Sequence, residues 1–410
     1  MAGTPTTPRL SLCLATYNRA HYLDRYLTHH LAALDAAGID YELVVSDNCS
    51  TDDTPGILAR YAARHPSMRV SRQARNVGAY PNILTTLRRA RGEVVVSIAD
   101  DDMAIPEALL ANVQRMIDDP ALVMIQAPWL LVDETRDGAV TGKFYDFEGE
   151  QRFERGQFAN CLGFVIQKHV FPECWLIRGS ALPAIAGPVP RFTYSFFAML
   201  ANALVQGDVL FSPEPYLLAT AVAKGVNLHV GNREAMESWD VYRGGLELLA
   251  SYARQFNPGV LPDAGSLGDA IQGFVFERMV VAARLQIQSR SWCNAYQILR
   301  RLHAYELVPQ VGIEPDDLAR LAGIETALVE LAQRGASEVV VSANVPDHVL
   351  ERFNPIDGVR IIRAEAIAAS DMRRGYALLE EPAPRSMRPQ DVSCDIAQSM
   401  ARLPTFSPEG

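Results

Sequence analysis

The sequence lacks the runs and pairings that announce several common classes of protein. No apolar stretch reaches the roughly 20 residues that a membrane-spanning helix needs. The longest, from Ala121 to Val132, is broken by Gln126 and Pro128. The opening Met1-Ala2-Gly3-Thr4-Pro5 has no charged and apolar leader pattern. Six cysteines (Cys13, Cys49, Cys161, Cys174, Cys293 and Cys394) form no C-x-x-C pair, which speaks against a zinc site or a disulfide framework and for reduced thiols in a cytoplasmic protein. Positive charge is also short: 38 Lys and Arg against 48 Asp and Glu leave a formal net charge of −10, without the footprint that nucleic acid requires. Nothing repeats along the chain. What is present, 49% apolar and 21% charged over 410 residues, is a globular composition with room for two domains.

Beyond a Thr- and Pro-rich start expected to be disordered (residues 1–8), apolar runs of strand length alternate with helical spacing. Arg9 to Ala15 reads as a strand ending in Thr16-Tyr17-Asn18-Arg19, followed by Tyr22, Leu23, Tyr26, Leu27 and His30 on one helical face. Tyr41 to Val45 reads as a second strand, ending in the polar run Ser46 to Thr54, where Asp52 or Thr54 suits a helix cap. A third strand near Met68 to Val70 precedes Arg75-Asn76-Val77-Gly78 and a helix from about Asn82 to Ala90. Val94 to Ile98 is a fourth strand, and it runs into Asp100-Asp101-Asp102. This alternation predicts an α/β fold with a doubly wound, mostly parallel sheet and helices on both faces. Such sheets bind ligands outside the carboxyl ends of their strands, where clustered hard oxygens can hold a divalent cation against phosphates. Each polar cluster alone is explained by turn and cap chemistry; three after three strands point to one site.

The strings A-T-Y-N-R, V-V-S-D-N-C-S-T-D-D-T, R-N-V-G and R-G-E-V-V-V-S-I-A-D-D-D, with Pro106 four residues on, resemble in order and spacing the nucleotide-sugar binding half of family 2 glycosyltransferases. The A-D-D-D spelling is similar to that of the abequosyltransferase-like branch of O-antigen assembly. The resemblance covers about residues 9–230 and implies the GT-A fold, a Rossmann-like sheet with a D-x-D metal motif. It implies a sugar moved from a nucleoside-diphosphate sugar to a saccharide or lipid-linked saccharide acceptor, with Mn2+ or Mg2+ as cofactor. By the same carry-over Asp101 and Asp102 meet the metal. Thr16, Tyr17, Asn18, Arg19, Asp47, Asn48, Arg75, Asn76, Gly78 and Asp100 line the donor. Lys224 and His229 lie on a closing loop that carries Gly225, with Lys224 on the phosphates and His229 as a metal ligand.

The resemblance fails at the acceptor side. Members that invert usually carry an Asp or Glu there as general base, but Gly187 to Phe197 contains no carboxylate. Glu173 and His169 are the nearest candidates. Gly142 to Gly163 mixes aromatics and charges without a period, in the place of acceptor-facing loops. The expected organisation is a transferase domain over 9–232, a helical region over 233–335, a small α/β element over 336–380 and an extended or disordered tail over 381–410. The helical region suits a homo-oligomer contact or a peripheral contact with the inner face of a membrane. Two rivals stand beside the transferase: a nucleotidylyltransferase, for which the glycine-rich loop after the first strand is missing, and a non-catalytic sugar-nucleotide or glycan-binding subunit, motivated by the missing base.

Overall fold

A computed structural model describes residues 7–224, 233–307, 309–341, 345, 347–353, 359–363, 377–380 and 392–395. The chain divides into two compact units, one built from Met1–Asn227 with Asp240–Phe274, the other from Leu228–Trp239 with Val275–Gly410. The region read as one helical body, 233–335, is therefore divided between them.

The first unit opens with the predicted alternation: β1 (Leu10–Thr16), α1 (Ala20–Ala37), β2 (Tyr41–Asp47), α2 (Thr54–Ala62), β3 (Met68–Arg72), α3 (Ala79–Arg89) and β4 (Val94–Ser97). These strands pair in parallel in the order β3-β2-β1-β4. Six of the seven residues of β1 and all seven of β2 are buried, as expected of strands covered on both faces. Gly38, at φ 61°, closes α1 in the left-handed conformation that suits glycine.

Next come β5 (Met103–Ala104), α4 (Pro106–Asp118), β6 (Leu122–Gln126), β7 (Leu130–Asp133), β8 (Ala139–Lys143), β9 (Gln151–Phe153) and α5 (Phe158–Gln167). The stretch from 142 to 163, read as loops without a period, thus holds parts of two strands and a helix. Tyr145, Phe147 and Phe153 are buried there, and the rings of Phe147 and Phe153 both meet Phe164, contacts that no local period encodes.

β10 (Trp175–Arg178), α6 (Leu182–Ile185), α7 (Ser195–Gln206), β11 (Asp208–Phe211) and β12 (Leu217–Val222) complete the two sheets of this unit. The large sheet has the order β3-β2-β1-β4-β10-β6-β11-β9, and a small one has the order β5-β12-β7-β8. β10 lies antiparallel between β4 and β6. The acids at 100–102 occupy the turn where the chain leaves β4 for β5, so they join the two sheets.

α8 (Arg233–Glu237) belongs to the second unit, whereas α9 (Asp240–Phe256) packs on α5 and α7 in the first. α10 (Ala264–Gln288) begins in the first unit and ends in the second. The second unit adds α11 (Trp292–His303), α12 (Pro315–Gln333), β13 (Glu338–Val341), α13 (Asp347–Leu350), β14 (Arg360–Arg363), β15 (Ala377–Glu380) and β16 (Val392–Asp395). Its strands form a parallel sheet in the order β14-β13-β15-β16, so the segment read as an extended tail contributes a strand. No helix among the described residues is long and apolar enough to cross a membrane.

The insertion of β10 against β4 requires backbones to touch. A Cβ on Gly179, just after β10, would stand 2.0 Å from the carbonyl oxygen of Gly92, just before β4. Backbone cannot yield as a side chain can, so Gly179→Ala is expected to destabilise the first unit by about 1–3 kcal/mol, the range of overpacking changes. Urea unfolding followed by tryptophan fluorescence reads this out; an unchanged midpoint would mean that the strands slide apart freely.

Candidate active site

The loops after β1 and β2 are stitched into one surface. Asn18, at φ 53°, donates its backbone N–H to Ser50 Oγ (2.9 Å) and accepts from Thr51 N at Oδ1 (2.8 Å). Arg19 N donates to Thr54 Oγ1 (3.1 Å). Asp52 accepts from Ala20 N (3.1 Å) and Thr54 N (3.0 Å), so one carboxylate serves the first turns of both α1 and α2. Burial works against its charge, but these bonds prevail and its pKa lies below the ordinary value. Of the two cap candidates, Asp52 serves the start of α2, whereas the Thr54 hydroxyl reaches back to the head of α1. Tyr17 stands 40% exposed on this surface.

Asp47 ends β2 and is 1% exposed. Its Oδ1 accepts from Ser50 N (3.0 Å). Oδ2 faces Arg72 Nε at 3.5 Å and makes no hydrogen bond to the described residues. Beside it Asn48 donates to Asn76 Oδ1 (2.9 Å) and the Gly78 carbonyl (3.2 Å), and accepts from Val77 N (2.9 Å). Gly78 has φ 93°, a backbone a side chain would strain. The structure thus gathers Asn48, Asn76 and Gly78 at the end of β2, with Arg75 exposed on the same loop.

The acid turn divides its three carboxylates by direction. Asp100 points inward: Thr16 Oγ1 donates to its Oδ2 (2.6 Å) and Arg19 Nε lies 3.3 Å from its Oδ1. Burial nonetheless pushes its pKa up to about 7, against the pull of Arg19 and Thr16. Asp101 has Arg19 Nη2 at 3.6 Å and borders a cavity of about 550 Å³ together with His21, Tyr22, Arg25, Glu134 and Lys224. Asp102 borders a second cavity, of about 250 Å³, together with Glu173. Asp102 is partly exposed there, but the surrounding protein desolvates its carboxyl, and with Asp101 beside it the pKa rises to about 8.

Several residues that hold this turn carried no signal in the sequence. Thr220 of β12 donates through N to Asp102 Oδ1 (3.0 Å) and through Oγ1 to the Asp101 carbonyl (2.7 Å). Arg25 pairs with Glu134 (2.5 Å) and donates to the same carbonyl (3.3 Å), and Glu134 also accepts from Lys224 N (3.1 Å). Adjacent histidines of α1 grip the first residues after the acids. His29 Nε2 donates to the Ala104 carbonyl (2.8 Å), and His30 Nε2 accepts from Ala104 N (3.1 Å) while its Nδ1 donates to the Tyr26 carbonyl (2.8 Å).

Glu173 lies just before β10 and accepts a hydrogen bond from the Tyr194 hydroxyl. His169, at φ 49°, stacks on Phe274 (4.7 Å) and lines neither cavity. His229 and Gly225 lie outside the described residues. Among those described, no three His, Cys, Asp or Glu side chains converge as a metal site. Ions of the magnesium kind are commonly held through one or two carboxylates, with phosphate and water oxygens filling the remaining positions. Asp101 and Asp102, adjacent hard-oxygen groups at open cavities, fit that partial set.

Residues 11–182 match the family model described as Glycosyl transferase family 2. This stretch belongs to glycosyltransferase family 2. It contains Thr16, Asp47, the acid turn and Glu173. The chain is 28% identical over 141 residues to a chondroitin synthase of Escherichia coli, covering 34% of this chain and 20% of that protein. It is 29% identical over 113 residues to an abequosyltransferase of Salmonella typhimurium, covering 27% of this chain and 33% of that one. The chain spans less than two fifths of the length of the curated relatives it matches. TarS of S. aureus, solved in complex with UDP-GlcNAc, has 18% identity and a TM-score of 0.49, with 79% of this chain and 87% of that one covered, a likeness too slight to build on.

The grip on Ala104 in the family 2 domain depends on a neutral imidazole. Burial pushes the His30 pKa down to about 4, with the bond to the Tyr26 carbonyl opposing and His29 assisting. The unfolded chain takes up a proton near the ordinary value of about 6.5 and the folded chain does not until about 4, so stability is full above 6.5 and lost as pH falls through that window. The loss amounts to about 3 kcal/mol at most. Thermal midpoints from pH 7 to 4 are expected to fall less steeply in His30→Gln than in the native chain; equal slopes would place the acid sensitivity elsewhere.

Proposed function

We propose that this chain moves a sugar from a nucleoside-diphosphate sugar to a hydroxyl of a saccharide or lipid-linked saccharide, in surface polysaccharide or related glycoconjugate assembly. The observation that carries the reading is the acid turn: within a family 2 domain, consecutive carboxylates at the exit of β4 border two separate cavities. Asp101 borders the larger one with Arg25 and Lys224, a mixture of charge suited to a diphosphate and its counter-ion. The buried Oδ2 of Asp47 suits a donor N–H of a nucleobase, since burial makes an unmet acceptor costly. A pyrimidine imide N–H answers that need, which favours uridine or thymidine donors. Tyr17, exposed next to it, offers a ring face to the base.

The residues assigned to Mn2+ or Mg2+ are Asp101 and Asp102. When bound, the ion supplies Lewis-acid stabilisation of the negative charge that gathers on the departing diphosphate. The chain's own part is to hold these acids at fixed positions. Thr220 takes one oxygen of Asp102 and the Asp101 carbonyl, Thr16 and Arg19 engage Asp100, and Arg25 anchors the turn to Glu134. Arg19, between Asp100 and Asp101, is also placed to neutralise phosphate charge.

The test is a thermal-shift series with uridine, thymidine, cytidine and guanosine diphosphates, each with and without manganese. Ligand at one hundred times its dissociation constant adds about 2.7 kcal/mol to stability, a readily measured rise. One nucleotide is expected to shift the native chain in a manganese-dependent manner, and Asp101→Asn is expected to lose that shift while keeping the native unfolding midpoint without ligand. No shift with any nucleotide would overturn the reading. A manganese-dependent shift surviving in Asp101→Asn would remove this residue from the metal set.

A further inference from the structure

Glu173 and the acid turn are 71 positions apart, counting from Asp102, yet they border the same cavity. The cause is the direction of β10. Because it runs antiparallel to β4, with Leu176 opposite Val96 and Arg178 opposite Val94, its entry lies beside the exit of β4. A residue just before β10 therefore arrives next to the residues just after β4. The remaining walls are largely apolar: Trp129, Trp175 and Phe196 supply three aromatic faces beside aliphatic and small residues such as Ile83 and Leu217. At about 250 Å³ it falls below the roughly 300–1,000 Å³ typical of sites for drug-sized ligands. It has room for one sugar ring rather than a whole nucleotide sugar, with flat apolar walls for the C–H faces of the ring and carboxylates for its hydroxyls.

Tyr194 is what Glu173 leans on, and it is held firmly. It is 2% exposed, immediately before α7, and its backbone N–H donates to the Val241 carbonyl at the start of α9 (3.1 Å). Its ring meets Tyr242 edge to face at 4.8 Å and Phe197 at 5.2 Å. α9 comes so close that a Cβ on Gly244 would stand 2.0 Å from the Phe192 carbonyl oxygen. The hydroxyl donates to Glu173 Oε1, a hydrogen bond that favours the charged carboxylate and fixes it at the cavity wall.

We infer that this cavity is the acceptor-sugar subsite, that Glu173 is its catalytic base, and that Tyr194 is a positioning residue for Glu173; the inference rests on the transferase reading above. In the step, the Glu173 carboxylate takes the proton of the acceptor hydroxyl and becomes a carboxylic acid. The freed oxygen pair bonds to the anomeric carbon of the donor sugar, the bond from that carbon to the phosphate oxygen breaks, and its electron pair leaves with the nucleoside diphosphate. The proton then passes to solvent through the cavity mouth. The carboxylate missing from Gly187 to Phe197 is thus supplied from the segment before β10, which meets the head of α7 through Tyr194.

The test uses the full chain with manganese and the glucose conjugates of the four nucleoside diphosphates, first with water as acceptor and then with a panel of monosaccharides. Glu173→Gln is expected to lower kcat by about a hundredfold or more, the low end of general-base effects, while the manganese-dependent shift by the nucleotide is retained. Tyr194→Phe keeps the base but removes its partner. It is expected to cost less in kcat and to move the acid limb of the pH profile towards higher pH, a change that loss of packing alone would not produce. The titratable neighbours of Glu173, namely Tyr194, Tyr145, Cys174 and Asp102, are unchanged in Glu173→Gln and serve as its background. Near-native kcat in Glu173→Gln overturns the assignment while leaving the transferase reading standing; a native chain that turns over none of these donors overturns both. An unmoved acid limb in Tyr194→Phe overturns its positioning role.

Discussion

Like-charge crowding in the turn from Asp100 to Asp102 is the constraint on which the rest of the first unit depends. Three carboxylates stand in sequence where one strand leaves the large sheet for the small one, and burial with mutual repulsion lifts two of them to about 7 and about 8. The fold holds the turn through contacts from three separate elements, one of them braced by a fourth. Thr16 and Arg19 come from the β1 exit, Arg25, His29 and His30 from α1, Glu134 from the end of β7, and Thr220 from β12. Such an arrangement is costly without a counter-charge. Residues kept in disagreement with their local preferences commonly mark function.

Consecutive residues of the turn serve different spaces. Asp101 and Asp102, one position apart in the turn, border the larger charged cavity and the smaller apolar one. On the proposed reading, the leaving group and the incoming hydroxyl would meet at this turn. Proximity of this sort is what converts a two-substrate reaction into one within a single complex.

The legible part of the fold was the part written locally. β1, β2 and β4 are short, dense apolar runs, each followed by its polar cluster, and the structure brings Thr16, Asp47 and the acid turn to one edge as the alternation predicts. What stayed hidden depends on register between distant segments. The antiparallel entry of β10 has no period to read, yet it delivers Glu173 to the acids. Arg25 and Glu134 are 109 positions apart, and each looks like an ordinary surface charge in its own window. The aromatics between Trp129 and Phe171 likewise meet across separate connecting segments, so a scan for one face of one element does not find them.

The first unit is discontinuous in sequence: the stretch from 228 to 239 belongs to the other unit, and the chain returns at Asp240 to supply α9. The family match ends at 182, before Tyr194, Thr220 and Gly244. Excising the recognisable segment would therefore separate Glu173 and the acid turn from Tyr194 and Thr220, which hold them. In engineering terms the smallest transplantable piece is not the conspicuous motif block but that block together with a helix encoded after a detour.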